Sequence, residues 1–296
     1  MKELIATRRR KSGSAGAFTL TELLVVIGMT ALLGAVLLSA SFTTQERISR
    51  AQCVSNLRQI GVGMNLYCAE ANGYVPICGW AQNQNPWQTY EACRFDSAGS
   101  PNLTRGFESL GLLFRTKAVV DPKTFYCPST ARINSDFSYD LYATAPSGWP
   151  SIPVGYTGNP YLRMGYNYYP QLGATERINS PTYGPFTLPK LTYSLVQLEF
   201  GTPLSLPSPA KLTELNPQKS ITTDLVNMTN QLSHRATGSV AGLNALYPDG
   251  RVVFQNARTD SRTGINSPWY YWFWASEYGP SNDPSAFRII MNYWKP

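Results

Sequence analysis

Residues Phe18–Phe42 read FTLTELLVVIGMTALLGAVLLSASF, an apolar run of 25 residues whose one charge is Glu22. At 1.5 Å per helical residue this run is long enough to cross a hydrocarbon layer of about 30 Å. Arg8-Arg9-Arg10-Lys11 lies just before it. Such a basic cluster stays on the cytoplasmic side, which puts everything after residue 42 on the other side. A secretory signal peptide also has a basic start and an apolar stretch, but its stretch is shorter and ends at a small-residue cut. Ser39-Ala40-Ser41 would be that cut here. A plain signal anchor is the other alternative. Neither accounts for Glu22, because a carboxylate inside a spanning helix costs roughly 2.5–3.5 kcal/mol at the centre and such acids have partners.

Ala17-Phe18-Thr19-Leu20-Thr21-Glu22-Leu23-Leu24, following basic and small residues, resembles the leader junction of type IV prepilins and type II secretion pseudopilins. The resemblance implies that residues 1–17 are a leader removed by a prepilin peptidase between Ala17 and Phe18. Phe18 would then be the first mature residue and the site of N-methylation. Glu22 would be the acid at the fifth mature position. The chain departs from the family at Ala17, where glycine is usual. Physically, cutting exposes an α-amine on Phe18, and Glu22 of one subunit can neutralise the amine of a neighbour in a staggered filament. A buried carboxylate is tolerable with such a partner, and the pair fixes register between subunits.

The helical pattern continues beyond residue 42. No proline occurs before Pro76, and Cys53, Leu57, Ile60, Met64, Tyr67, Cys68 and Ala71 recur at spacings of three and four. That is one apolar face of a helix. Gly73 suits the helix end and Pro76 closes the segment. The expected layout is a leader at 1–17, a transmembrane helix at 18–42, an amphipathic continuation at 43–76 and an extracytoplasmic head at 77–296. Two helices broken near Ser39–Thr43 are the alternative.

Composition narrows the class of the head. Hydrophobic residues make up 43%, aromatic residues 12% and charged residues only 15%. Abundant aromatics exclude a disordered chain, and low charge excludes a coiled-coil rod. A mean hydropathy of −0.22 with one candidate span excludes a polytopic membrane protein. Of the net charge of +7, residues 1–17 contribute +4, so no basic run remains for nucleic acid.

Cys53-Val54-Ser55-Asn56-Leu57-Arg58-Gln59-Ile60-Gly61, with Tyr67 and Asn72-Gly73-Tyr74-Val75-Pro76, is similar to large pilin-like proteins of planctomycetes, verrucomicrobia and lentisphaerae. Those proteins also carry Cys-Pro-Ser, Gly-Tyr-Asn and a late His followed by Asn and Asp-Gly. The matching residues are Cys127-Pro128-Ser129, Gly165-Tyr166-Asn167, and His234 with Asn244 and Asp249-Gly250. The spacing from His234 to Asp249 is longer than in that group. Together the resemblances imply a pilin-like α+β fold, with a long N-terminal helix on a small antiparallel sheet and long irregular loops.

Short strands are expected at Thr124–Cys127, Tyr193–Phe200, Ser220–Val226, Gly242–Tyr247 and Arg251–Gln255. The last two flank Pro248-Asp249-Gly250, a hairpin turn in which proline presets φ, Asp tolerates the bend and Gly supplies positive φ. Residues 147–189 are too rich in Pro, Gly and Ser for long core strands.

Candidate chemistry is sparse. His234 is the one histidine, which leaves no room for a multi-His metal site, and Ser233 and Arg235 beside it form no nucleophile motif. It reads as a structural histidine near the hairpin. Asp224, Asp249 and Asp260 follow no EF-hand pattern, so neither calcium nor any cofactor is expected. Five cysteines stand at 53, 68, 78, 93 and 127, in an oxidising compartment if the head is exported. No CxxC occurs, which argues against zinc. The odd count leaves at least one unpaired within the chain, and spacing alone does not fix connectivity. The expected bridge is Cys53–Cys127, tying the helix to the region after it, with Cys68 as a core thiol. The run Trp269-Tyr270-Tyr271-Trp272-Phe273-Trp274 reads as a buried strand or as a sticky patch for sugar or protein.

The expected function is a structural subunit of a type II secretion pseudopilus or type IV-like filament, held in the inner membrane by one span. Its partners would be a prepilin peptidase, other pilins or pseudopilins, and an inner-membrane assembly platform, with no nucleic acid. The alternatives are a minor pilin acting as an adhesin or glycan-binding head, and a membrane-tethered enzyme. The lone histidine and the lack of paired catalytic motifs disfavour the enzyme.

Overall fold

The computed structural model describes residues 18–77, 89–95, 106–145, 148–152, 161–180, 184–191, 210–226, 232–236 and 239–256, apart from side chains 35–43 and some in the strands. Ala17 and the leader, Cys78, the strand expected at 193–200, Asp260 and the aromatic run at 269–274 lie outside the described residues. The chain is α+β, with helices and antiparallel sheets. It divides into two compact units, residues 1–45 and 46–296. Helix α1, Leu20–Glu70, contributes to both.

In the first unit α1 opens with a reciprocal cap. Thr19 Oγ1 accepts from Glu22 N at 3.2 Å, and the Glu22 carboxylate accepts from Thr19 N at 2.9 Å and from Thr19 Oγ1 at 2.8 Å. This is a capping box, which satisfies backbone donors that a helix start leaves orphaned. Thr30 Oγ1 donates back to Val26 O at 2.9 Å, so this hydroxyl is satisfied within the helix. Leu20, Leu23, Leu24, Val25, Val26, Ile27, Met29, Leu32 and Leu33 are all exposed. Among the described residues no helix is long and apolar enough to cross a membrane.

In the second unit the apolar face read from the sequence is the buried face. Cys53, Leu57, Ile60, Met64 and Cys68 are buried, and Tyr67 packs against the core from its edge. The helix ends where Asn72 and Gly73 take positive φ, 54° and 86°. Gly73 N donates to Cys68 O at 2.8 Å, the six-to-one bond of a Schellman motif. The chain then runs beside residues 210–212, with Val75 N donating to Ala210 O at 3.0 Å.

The largest sheet comprises β3 (Tyr166–Tyr168), β6 (Thr222–Asp224), β7 (His234–Ala236), β8 (Ser239–Leu246) and β9 (Val252–Asn256), all antiparallel. β6 and β7 pair with opposite ends of β8 on one edge, and β9 pairs with its other edge. The β8–β9 connection is the turn at Pro248-Asp249-Gly250. Gly250 has φ 84°, Arg251 N donates to Asp249 Oδ1 at 3.1 Å, and Leu246 faces Val252 across the register. Two further pairs stand apart: β1 (Glu91–Arg94) with β2 (Tyr161–Arg163), and β4 (Gln171–Ser180) with β5 (Gly184–Leu191).

Two expectations need correction. Thr124–Cys127 is not a strand. Asp121 caps a 3-10 turn over Pro122–Phe125 by accepting from Lys123 N at 2.9 Å, and Pro128 opens α3 (Pro128–Ile133), the next α-helix after the short α2 (Gly111–Arg115). Proline at a helix start wins because its lost N–H is an orphan there anyway. Residues 147–189 do hold long strands, those of the β4–β5 ribbon, although the described side chains at 173–175, 177 and 187 are exposed. A two-stranded ribbon has only outer edges, so Pro185 and Pro189 fit in β5. The core contains Tyr142, Tyr166, Tyr168, Tyr169 and Tyr247, fully buried. Tyr168 Oη donates to Pro76 O at 2.8 Å, and Tyr247 Oη accepts from Gln255 Nε2 at 2.9 Å.

Candidate functional site

The segments singled out by sequence converge on one point of the second unit. Cys53 of α1 and Cys127, just before α3, are joined by a disulfide that links positions 74 residues apart. Asn56, one turn further along α1, donates from Nδ2 to Tyr126 O at 3.0 Å. Gly165 lies against the same strip of backbone. A Cβ there would stand 2.5 Å from Cys127 N, and Gly165 N donates to Phe125 O at 2.9 Å. Only a residue without a side chain fits this approach. Next to it, Tyr166 pairs with Asp224 in the β3–β6 register, and Asn167 Oδ1 accepts from Val226 N at 2.6 Å.

His234 closes the cluster from β7. Its Nδ1 lies 2.5 Å from Glu46 Oε1, and its Nε2 lies 3.1 Å from Asp224 Oδ2, 3.0 Å from Asn244 Nδ2 and 4.0 Å from Cys127 Sγ. His234 and Asp224 are 1% and 0% exposed. Burial opposes the imidazolium, but the charge and hydrogen bonding of Asp224, and then those of Glu46, outweigh it and lift His234 to about 9. Asp224 Oδ2 also accepts from Asn244 N at 2.6 Å and Nδ2 at 2.8 Å, whereas the buried Asp224 Oδ1 has no hydrogen-bond partner among the described residues. Glu46 accepts in addition from Ser129 Oγ and from Arg132, each at 3.1 Å. The Arg50 guanidinium sits 3.1 Å above the Phe254 ring. Ser233 Oγ lies 2.6 Å from Thr130 Oγ1.

Four groups here offer a ligand atom each: Cys53, Cys127, Asp224 and His234, with all four atoms within 4.8 Å of one another. Of the aspartates weighed for calcium, Asp224 belongs to this buried cluster, Asp249 bonds to Arg251 at the hairpin turn, and Asp260 lies outside the described residues. Glu46 is the member of the cluster that the sequence alone does not single out. Its signal is spacing: it lies seven residues, two helical turns, before Cys53 and so shares its face.

A cleft of about 490 Å³ lies beside the cluster, lined by Gln52, Asn56, Gln59, Asp121, Tyr126 and Tyr139 among others.

No protein-family model matches this chain, and no curated protein and no solved structure matches it.

Proposed function

We propose that the chain is a structural, pilin-like subunit of a type II secretion pseudopilus or type IV-like filament, and not an enzyme. Phe18–Phe42 anchors it in the inner membrane, and the head is periplasmic or extracellular. The single observation that carries this reading is the exposed apolar surface of α1 from Leu20 to Leu33. A helix apolar on all faces needs lipid or neighbouring helices as cover, and a membrane followed by a filament supplies both in turn. The basic cluster before it and the Ala17–Phe18 junction support the processing step. The disulfide fastens α1 to the segment before α3, and the Glu46–His234 contact fastens it to β7, which suits a subunit under load.

The partners are then a prepilin peptidase, other pilins or pseudopilins and an inner-membrane assembly platform. Co-expression with a prepilin peptidase removes residues 1–17 and leaves N-methylated Phe18, read by mass spectrometry of the N-terminus. An uncut chain, or a mature start near Ser41, overturns the reading.

The cleft favours a second reading, a minor subunit whose head binds glycans. Amide and carboxylate groups from Gln52, Asn56, Gln59 and Asp121 beside the Tyr139 ring are the groups that hold sugar hydroxyls and stack on sugar faces. Glycan-array binding that is lost in Asn56→Ala and Tyr139→Ala would support it, and an array without signal would dismiss it.

A further inference from the structure

We propose that Cys53, Cys127, Asp224 and His234 form a binding site for one zinc-class divalent ion while the two cysteines are thiols, and that closing the disulfide expels the ion. The donor set is two sulfurs, one imidazole nitrogen and one carboxylate oxygen. Four such donors are the usual complement of a closed, tetrahedral zinc site, in which bonds of about 2.0–2.3 Å set the ligand atoms roughly 3.3–3.8 Å apart. The four donors already lie within 4.8 Å of one another, and His234 Nε2 is 3.1 Å from Asp224 Oδ2 and 4.0 Å from Cys127 Sγ. Small side-chain rotations bring them to those spacings once the sulfurs are separate. Thiolate with imidazole selects zinc over calcium or magnesium.

The surroundings are those of a metal site. Glu46 accepts at His234 Nδ1 and turns Nε2 toward the cysteines, as an outer carboxylate does for a ligating histidine. Asn244 fixes Asp224 through Oδ2, and Oδ1 is left buried without a hydrogen bond among the described residues. A buried carboxylate oxygen with no partner is costly, and a cation in the cluster supplies one. The ligands come from α1, the residues before α3, β6 and β7, so the ion would cross-link four segments and its binding energy would be folding energy. The absence of CxxC does not bear on such a site, because no two ligands are neighbours in sequence.

The chemistry balances. Binding of the dication releases three protons near neutral pH, one from each thiol and one from Nε2 of the His234 imidazolium. Exchange with a disulfide oxidant then forms the Cys53–Cys127 bond, reduces the oxidant to its dithiol, and removes both thiolate ligands. Histidine and Asp224 alone are too few to retain the ion.

The test uses the full chain in detergent, reduced with a phosphine and loaded with cobalt(II) or zinc(II). About one ion per chain is expected in the reduced form and none after reoxidation. X-ray absorption of the zinc-loaded wild type should read two sulfurs and two nitrogen or oxygen ligands. Glu46→Gln should weaken zinc by about 10- to 100-fold while the sulfur-to-cobalt charge-transfer band persists. Substoichiometric metal in the reduced chain overturns the proposal. So does a shell of three or four sulfurs, which would place the ion on other cysteines. Retention of the ion by the disulfide form overturns it as well. The wild-type measurements stand even if His234→Gln or Asp224→Asn fails to fold.

Discussion

His234 Nδ1 meets Glu46 Oε1 at 2.5 Å across 188 residues of sequence, and this contact fastens β7 to α1. Both partners reach it with other obligations met. Glu46 accepts from Ser129 and Arg132 as well, and His234 faces Asp224 and Asn244 through its other nitrogen. The contact therefore belongs to a network, and removing one member leaves others without partners.

Glu46→Gln keeps the shape and removes the charge. Hydrogen bonds to charged groups contribute about 1.5–3 kcal/mol, and Glu46 is a quarter exposed, so the expected loss is about 1–2 kcal/mol. For a head of this size that lowers the melting midpoint by about 2–8 °C. Arg132→Gln breaks only the more exposed ion pair to the same carboxylate, and its expected effect is below about 1 kcal/mol. Thermal melts of both variants against wild type decide the matter. Equal effects would show that the buried histidine is not the partner that counts.

Gly165 should tolerate no side chain. An added Cβ meets Cys127 N at 2.5 Å and Tyr126 backbone atoms at 3.3 Å, and backbone on both sides cannot yield as a side chain can. Gly165→Ala is expected to cost at least about 1–3 kcal/mol, and to lower the yield of Cys53–Cys127 disulfide in non-reducing peptide maps. Gly173 in β4 is the control. Its nearest atom to an added Cβ is Glu214 O at 3.6 Å, and alanine there should be neutral or slightly stabilising. A normal melt and a full disulfide yield in Gly165→Ala would refute the close approach.

Much of this arrangement was legible in local patterns and the rest was not, for a physical reason. The buried face of α1 and the β8–β9 hairpin follow from periodicity and turn chemistry, which act over a few residues. The helix end needed one more local fact, that Asn72 takes the left-handed conformation ahead of Gly73. The capping box Thr19–Glu22 is legible too, as a Thr three residues before a Glu at a helix start, although membrane cost and pairing with a neighbour's amine are the roles that the sequence suggests first for this carboxylate. Thr124–Cys127 looked like a strand because Phe125, Tyr126 and Cys127 are apolar, and the two prolines that bracket them decide otherwise. The cluster at His234 is different in kind. Glu46, Asp224 and Asn244 lie far apart in sequence, and nothing in the spacing of single residues shows that a sheet register will bring them together.

Cys68 should react slowly as a thiol. Burial pushes it up to about 11 from an ordinary 9. At pH 8 that lowers the thiolate fraction by about 100-fold, and alkylation proceeds through the thiolate. Labelling of the Cys68 peptide by iodoacetamide should therefore keep rising by about tenfold per pH unit until near pH 11. The sign for stability follows from the same shift. The folded state holds the proton more tightly, so this contribution is complete below pH 9 and is lost as pH rises toward 11. A labelling rate that levels off near pH 9 would mean that the thiol is open to solvent.

Glu22 separates two roles for one carboxylate. In the structure it is the third helical residue of a capping box with Thr19. In the proposed filament it neutralises the Phe18 amine of a neighbouring subunit. Glutamine serves a capping box nearly as well as glutamate but carries no charge. Glu22→Gln should therefore leave the helix start, membrane insertion and cleavage at Ala17–Phe18 intact. Glu22→Ala also loses the carboxylate's bonds to Thr19 N and Thr19 Oγ1, the reciprocal half of the box. If the charge pair is what assembly requires, both variants are cut normally and both fail to enter filaments, because the incoming amine would be buried without a counter-charge. If capping is the requirement, Glu22→Gln enters filaments and Glu22→Ala does not. Insertion, cleavage and incorporation are scored separately in each variant. Normal incorporation of Glu22→Gln would remove the intersubunit pair from the account and leave Glu22 as a helix cap alone.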